Sequence, residues 1–357
     1  MVIIRRSFVK IHHKVDPRNW IPDDLELTSV VSGELKKGSV TIVMAAYMRS
    51  NVMKIAIESV LSQTFTDWNL IIVGDATDSD SKVVADSFCD DRIRFINLSR
   101  NFGEQSMPNS IGAQLCATEY LAFLSQDDIW YPDHLSQAIS FLAKTKSDFY
   151  LASFLRIKPT KSNEESFAAD NRYVTGKVTY SPSQDWEFVA STWVLRSNLA
   201  RKIGDWRSAR EVRYAASQEY LFRCWASGAR ILIAPHAPSV LIVPSIHVEN
   251  SYSSNSSMVH RNLLNRILGG VPFLKPYSIE NCNSSLPSKI RAIHLGWQAA
   301  GRGSFLTRQW VKSVFFAFHT TVHLVSHLGI SPWEYAAALL GVKKGFHKNL
   351  LDEQRGL

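Results

Sequence analysis

From Val40 onward, short apolar runs alternate with longer stretches in which apolar residues recur every third or fourth position. "VTIVMAAY" and "WNLIIVG" have the length and content of buried strands, and between them "NVMKIAIESVLSQ" sets Val52, Ile55, Ala56, Val60 and Leu61 on one helical face. The alternation continues through a helix in "SKVVADSF", a strand at "IRFINL", a helix around "NSIGAQLCA" and the strand "YLAFL". After Pro132, whose fixed φ suits a first helical turn, "DHLSQAISFLAK" predicts another helix. Elements of these lengths predict an α/β fold: a Rossmann-like, open, mostly parallel sheet flanked by helices, with ligands bound beyond the carboxyl ends of the strands. Asp75 and the pair Asp127 and Asp128 fall just past two such ends.

Beyond residue 155 the pattern is looser. "RIKPTKSNEESFAADNRYVTGK" is polar and reads as a loop or ribbon, "AASQEYLFRCWASG" as a helix stopped by Gly228, and "ARILIA" and "SVLIVP" as two further strands. Near the end, Trp310 to Leu328 places Val311, Phe315, Phe318, Val322 and Val325 in one helical stripe, with Lys312, His319, His323 and His327 beside it. A second helix follows Ser331 and Pro332. Such a stripe serves equally for packing on a domain or for lying in a membrane interface.

Composition narrows the class. With 45% hydrophobic and 20% charged residues the chain is globular rather than disordered. Cysteines at 89, 116, 224 and 282 form no CxxC pair, which suits reduced thiols in a cytoplasmic protein better than a disulfide framework or a zinc site. The N-terminal "MVIIRRSFVKIHHK" lacks the apolar run and cleavage site of a signal peptide, and no uninterrupted run reaches the ~20 apolar residues of a membrane span. The charge is lopsided: from Ser245 onward 12 Lys and Arg stand against 5 Asp and Glu, most of the overall +8. That region suits an anionic surface such as lipid headgroups, or is simply a solvated basic face; charge alone is no basis for expecting nucleic acid. A dehydrogenase or a P-loop enzyme finds no support, because no GxGxxG follows the first strand and no GxxxxGK[ST] is present.

Adjacent carboxylates after a strand repel each other and stay ionised most easily beside a cation. Their hard oxygens suit Mg²⁺ or Mn²⁺ bridging to a diphosphate. Alternatively, Asp127 and Asp128 cap the helix after Pro132, where the dipole favours negative charge.

Taken together, "VTIVMAAYMRS", "IESVLSQTFTDWNLIIVGDATDSD" and "EYLAFLSQDDIWYPDHL" resemble the nucleotide-sugar-binding half of family 2 glycosyltransferases of the GT-A fold. "ASQEYLFRCWASG" is similar to the family's acid-containing helix near the acceptor, and "IHVENSYS" to a His-x-x-Asn-x-Ser stretch after it. The resemblance divides the chain into an extension (1–38), a nucleotide-sugar-binding half (39–135), an acceptor and catalytic half (136–245) and a basic helical C-terminal region (246–357). It implies that Ala45 and Tyr47 line the base pocket, that Arg49 meets the base or diphosphate, and that Asp75 bonds the base, usually uracil. Asp127 would face the ribose or metal, and Asp128 would coordinate the metal. Glu219 would be the catalytic base, and His247 a metal ligand, a phosphate contact or a packed histidine. The activity implied is metal-dependent, inverting transfer from a nucleotide-diphosphate sugar to a glycan or lipid-linked acceptor at the cytoplasmic face of a membrane. Three positions depart from the family pattern: Pro108 stands where an Arg is common, Gln126 replaces the first of three acids, and Gln218 replaces the first of an acid pair. Those losses of charge also admit a catalytically inactive sugar-nucleotide-binding or scaffold protein.

Overall fold

A computed structural model of the protein describes residues 16, 19–21, 36–159, 176–181, 189–212, 215–233, 237–243, 257–270, 343–345, 348–349 and 352. Strand β1 (Lys36–Ala46) is buried at every position from Ser39 to Met44, as a strand covered on both faces must be. Helix α1 (Ser50–Leu61) carries the chain back to β2 (Trp68–Gly74), and α2 (Ser79–Asp86) carries it to β3 (Ile93–Asn97). These three strands are parallel, β1 beside β2 and β2 beside β3. Helix α3 (Ser106–Gln114) then returns the chain across the sheet to β4 (Thr118–Phe123), which pairs with the other side of β1. The direction of winding therefore reverses between β1 and β4, and an open α/β sheet presents its ligand crevice at such a switch point.

The second half adds β5 (Ile129–Trp130), α4 (His134–Thr145), β6 (Phe149–Leu151), β7 (Phe154–Pro159), β8 (Gly176–Ser181), β9 (Trp193–Arg196), α5 (Ser197–Ile203), α6 (Ala216–Ala226), β10 (Ile231–Ile233), β11 (Val240–Ile242) and α7 (Met258–Leu268). The main sheet has seven strands in the order β10-β6-β9-β4-β1-β2-β3, and only β9 runs against the rest. A four-stranded sheet, β5-β11-β7-β8, stands beside it. The polar stretch after residue 155 is thus entered and left by a ribbon, β7 antiparallel to β8.

Two local details differ from the sequence reading. Helix α3 starts at Ser106 and takes in Pro108, whose missing N–H costs nothing in a first turn. Helix α4 starts at His134, with Pro132 outside it and Asp133 at the N-cap position; β5 lies between this helix and Asp127 and Asp128. The two acids therefore do not cap it. Trp20 and Ile21 lie against β2, β3 and α3, with the Trp20 ring edge-on to Phe102 at 5.1 Å. Residues 271–342, which include the stripe from Trp310 to Leu328, lie outside the described residues.

Candidate active site

The carboxyl ends of β1, β2 and β4 meet in strained turns. Met48, Arg49 and Ala76 all adopt left-handed backbone conformations, with φ of 51°, 54° and 49°. Non-glycine residues hold such angles only where surrounding bonds over-determine them. The bonds here come largely from two side-chain amides. Asn97 donates to the Thr77 carbonyl (2.9 Å) and accepts from its N–H (3.0 Å), while the Thr77 hydroxyl accepts from the Met48 N–H at 2.7 Å. Gln126 does the same for Tyr47, its Oε1 accepting from the N–H and its Nε2 donating to the carbonyl, both at 2.9 Å. Gly74 permits the first of these bridges, since a Cβ there would stand 2.5 Å from the Asn97 oxygen.

Asp75 closes the turn from below. Its two oxygens accept from the Phe102 and Gly103 amides, each at 2.8 Å, so the loop after β3 is folded around it. Burial raises its carboxyl above the ordinary aspartate value, and the amides of Phe102, Gly103 and Glu104 pull it partway back.

Asp127 and Asp128 point to different places. Asp128 is 3% exposed: one oxygen accepts the Ser191 hydroxyl at 2.5 Å and the other the Val243 N–H at 3.2 Å. Ser191 in turn receives the Ser125 N–H, which ties the turn after β4 to the 3-10 turn Ala190–Thr192. Asp127 instead lines a cavity, with Arg49 Nη1 3.4 Å from its carboxylate and the His260 ring bonded to its backbone carbonyl at 3.1 Å. Burial lowers the His260 pKa to about 4, so the ring is neutral at pH 7 and its Nε2 donates to that carbonyl.

Glu219, on the first turn of α6, is 2% exposed. Arg223 Nε lies 2.9 Å from both of its oxygens, Arg207 approaches to 3.4 Å, and Arg223 also donates to the Ile203 and Asp205 carbonyls.

A cavity of about 410 Å³ occupies the switch point. Ala45, Tyr47, Asp75 and Asp127 line it together with Gln126, so four of the candidate site residues named from the sequence converge. Arg49 stands behind Asp127, Asp128 and Glu219 are not among the lining residues, and His247 lies outside the described residues. Four charged lining residues escaped the sequence reading: Glu104, Arg210, Lys348 and Asp352. No local signal marks them, because each reaches the cavity through a loop or from the C-terminal segment.

The fit of Mg²⁺ or Mn²⁺ rests on Asp127. Among the described residues no three His, Cys, Asp or Glu side chains form a cage. A cation that arrives with a nucleotide needs only one or two protein carboxylates, the phosphates supplying other oxygens. Asp127, which lines the cavity, offers one.

Comparison with known proteins agrees with this architecture. Residues 41–202 match the family described as glycosyl transferase family 2. A UDP-Glc:alpha-D-GlcNAc-diphosphoundecaprenol beta-1,3-glucosyltransferase of Escherichia coli, WfgD, is 27% identical over 115 residues, 32% of this chain and 45% of that protein. An uncharacterized glycosyltransferase of Rickettsia typhi, RT0329, is 30% identical over 169 residues, 46% of this chain and 52% of that one. The chain thus spans about half the length of these curated relatives. Among solved structures, S. aureus TarS 1-349 superposes with a TM-score of 0.52 at 13% identity, covering 89% of this chain and 92% of that one, which establishes a common GT-A fold. The match to glycosyl transferase family 2 thus rests on residues 41–202, a little under half of the chain.

Proposed function

We propose that this protein transfers a sugar from a nucleotide-diphosphate sugar, with UDP-sugars favoured, to a hydroxyl of a glycan or lipid-linked acceptor in cell-surface polysaccharide or lipopolysaccharide synthesis. The observation that carries the proposal is the convergence of Tyr47, Asp75 and Asp127 on one cavity at the switch point. The name of the E. coli relative, with its UDP-glucose donor and diphosphoundecaprenol-linked acceptor, supports the donor and acceptor classes. Tyr47 stacks on the base. Asp75 spends three of its roughly four lone-pair sites on backbone amides and keeps one for a base N–H. Asp127 is the proposed protein ligand of Mg²⁺ or Mn²⁺, and Asp128 holds the turn behind it. When bound, the cation neutralises charge on the departing diphosphate.

In this reading the acceptor hydroxyl attacks from the face opposite the diphosphate and inverts the anomeric carbon. Glu219 takes the hydroxyl proton, for which its carboxylate must turn from Arg223 toward the cavity; catalytic contacts often tighten only when substrate binds. We place the work at the cytoplasmic face of a membrane; no helix among the described residues is long and apolar enough to cross one. The test is thermal shift with a panel of nucleotide sugars with and without Mn²⁺, followed by transfer assays. A UDP-sugar with Mn²⁺ should raise Tm, and Asp127→Ala should abolish both the shift and turnover. If no nucleotide sugar stabilises the protein, the proposal fails.

One observation favours a second reading, a nucleotide-sugar-binding protein without catalysis: the buried clamp of Arg223 on Glu219. Tight UDP binding with no turnover over a broad acceptor panel would select it.

A further inference from the structure

Six charged side chains line the cavity, and their accounts differ. Asp75 and Glu104 are spent within the protein: Asp75 on backbone amides, Glu104 on the Ser106 and Ser208 hydroxyls and the Ala209 N–H. Asp127 has Arg49 at 3.4 Å. The remaining acid, Asp352, is paired with Lys348, and the remaining cation is Arg210. Four acids against two cations make a wall that repels a polyanion unless the cations are aimed at it.

Lys348 and Arg210 are aimed at the same place. From the point where a Cβ would stand on Gly103, the Lys348 ammonium is 3.6 Å away and an Arg210 guanidinium nitrogen 3.7 Å. The Gly103 amide is itself held by Asp75, so both cations sit on the nucleotide side of the cavity. The C-terminal segment is fixed there by the Gly345 N–H, which donates to the Val212 carbonyl at 2.9 Å. Lys348 is 3% exposed. Burying an ammonium against a single carboxylate four residues along the chain is expensive, and a solvent-facing i,i+4 pair would hold the segment at lower cost.

We propose that Lys348, with Arg210 beside it, binds the diphosphate of the nucleotide donor, and that Asp352 holds the ammonium until the donor displaces it. This rests on the nucleotide-sugar reading above. It assigns to the C-terminal segment a charge that Pro108 does not supply. Asp352 competes with phosphate for Lys348, so removing its charge tightens donor binding, whereas removing the lysine weakens it in proportion to the phosphates carried by the ligand.

The experiment is calorimetry on the full chain with Mn²⁺, using uridine, UMP, UDP and farnesyl diphosphate against wild type, Lys348→Met and Asp352→Asn. Lys348→Met, which keeps the apolar stem, should weaken UDP by roughly ten- to a hundredfold, the loss of one charge-assisted contact, and leave uridine within about twofold. Asp352→Asn should tighten UDP several-fold. Equal losses for uridine and UDP would reduce Lys348 to a structural strut and overturn the inference, as would unchanged UDP binding. Loss confined to farnesyl diphosphate would overturn the assignment to the donor. If Lys348→Met does not fold, Asp352→Asn decides alone: UDP affinity at or below wild type overturns the proposal. A wild-type chain that binds neither uridine nor UDP would instead overturn the nucleotide-sugar reading beneath it.

Discussion

At position 126 one side chain has to donate to the Tyr47 carbonyl and accept from its N–H. A carboxamide does both; a carboxylate can only accept, and it would face a carbonyl oxygen. Gln126 is therefore not a weakened acid but a brace for the turn that presents Tyr47. Gln126→Glu should lower stability by about 1–3 kcal/mol at pH 7, the cost of a buried unsatisfied group, with partial recovery in acid as the carboxyl regains a proton. Urea unfolding at pH 7 and pH 5 checks both parts. The neighbouring acids divide in the same way. Asp128→Asn leaves the Val243 N–H and Ser191 hydroxyl competing for one oxygen and should cost about 1–3 kcal/mol of stability. Asp127→Asn, on the cavity lining, should leave the urea midpoint near wild type while removing the Mn²⁺-dependent part of UDP binding. If Asp128→Asn lost the Mn²⁺ dependence and Asp127→Asn did not, the roles proposed here would be reversed.

Among the elements, α3 shows how closely the site depends on packing. Gly112 lies so near β1 that a Cβ would stand 2.4 Å from a Val43 methyl, and this contact sets the height of the helix whose first turn carries Pro108 and Asn109 into the cavity wall. Gly112→Ala should therefore cost about 1–3 kcal/mol through overpacking and weaken UDP binding with it; Gly112→Ala with Val43→Ala should recover much of both, measured by Tm and calorimetry. The same element shows what periodicity misses: its apolar pattern marked a helix around residues 109–117, yet the first turn, Ser106 to Pro108, has no pattern of its own. β1, β2 and β4 were legible because strands buried on both faces read as unbroken apolar runs, and their ends located Tyr47, Asp75 and the two acids. Which of the two acids lines the cavity was not legible, because an irregular turn has no period of two to assign side chains to faces. Lys348 was illegible for another reason. Its partner surface at Gly103 is distant in sequence, and only the folded chain brings the two together.

At the scale of the whole molecule, β9 and β5 were invisible in the pattern, since strands of two to four residues carry too little alternation to register, and the strand read at "SVLIVP" and the ribbon read after residue 155 were not joined into a second sheet. The junction of that sheet with the main sheet is sealed by His134. Its ring lies 4.4 Å from Trp130 of β5 and 6.2 Å from Tyr150 of β6, and Nδ1 meets the Ser239 hydroxyl just before β11 at 3.0 Å. Complete burial lowers its pKa from 6.5 to about 3, so the folded protein holds the ring neutral while the unfolded chain protonates it near pH 6.5. The unfolded state then binds the extra proton between those two values, and stability present above pH 6.5 is lost as pH falls, by about 1.4 kcal/mol per unit. Between pH 7 and pH 5 this one group should remove about 2 kcal/mol. His134→Phe keeps a ring against Trp130 and Tyr150 but cannot titrate, so it should start less stable at pH 7, having lost the Ser239 bond, and show a pH dependence shallower by that amount. Urea midpoints of both proteins at pH 5, 6 and 7 measure the difference in slope. Parallel slopes would mean that the junction admits the proton, and with it water, and that the two sheets are not sealed where His134 stands.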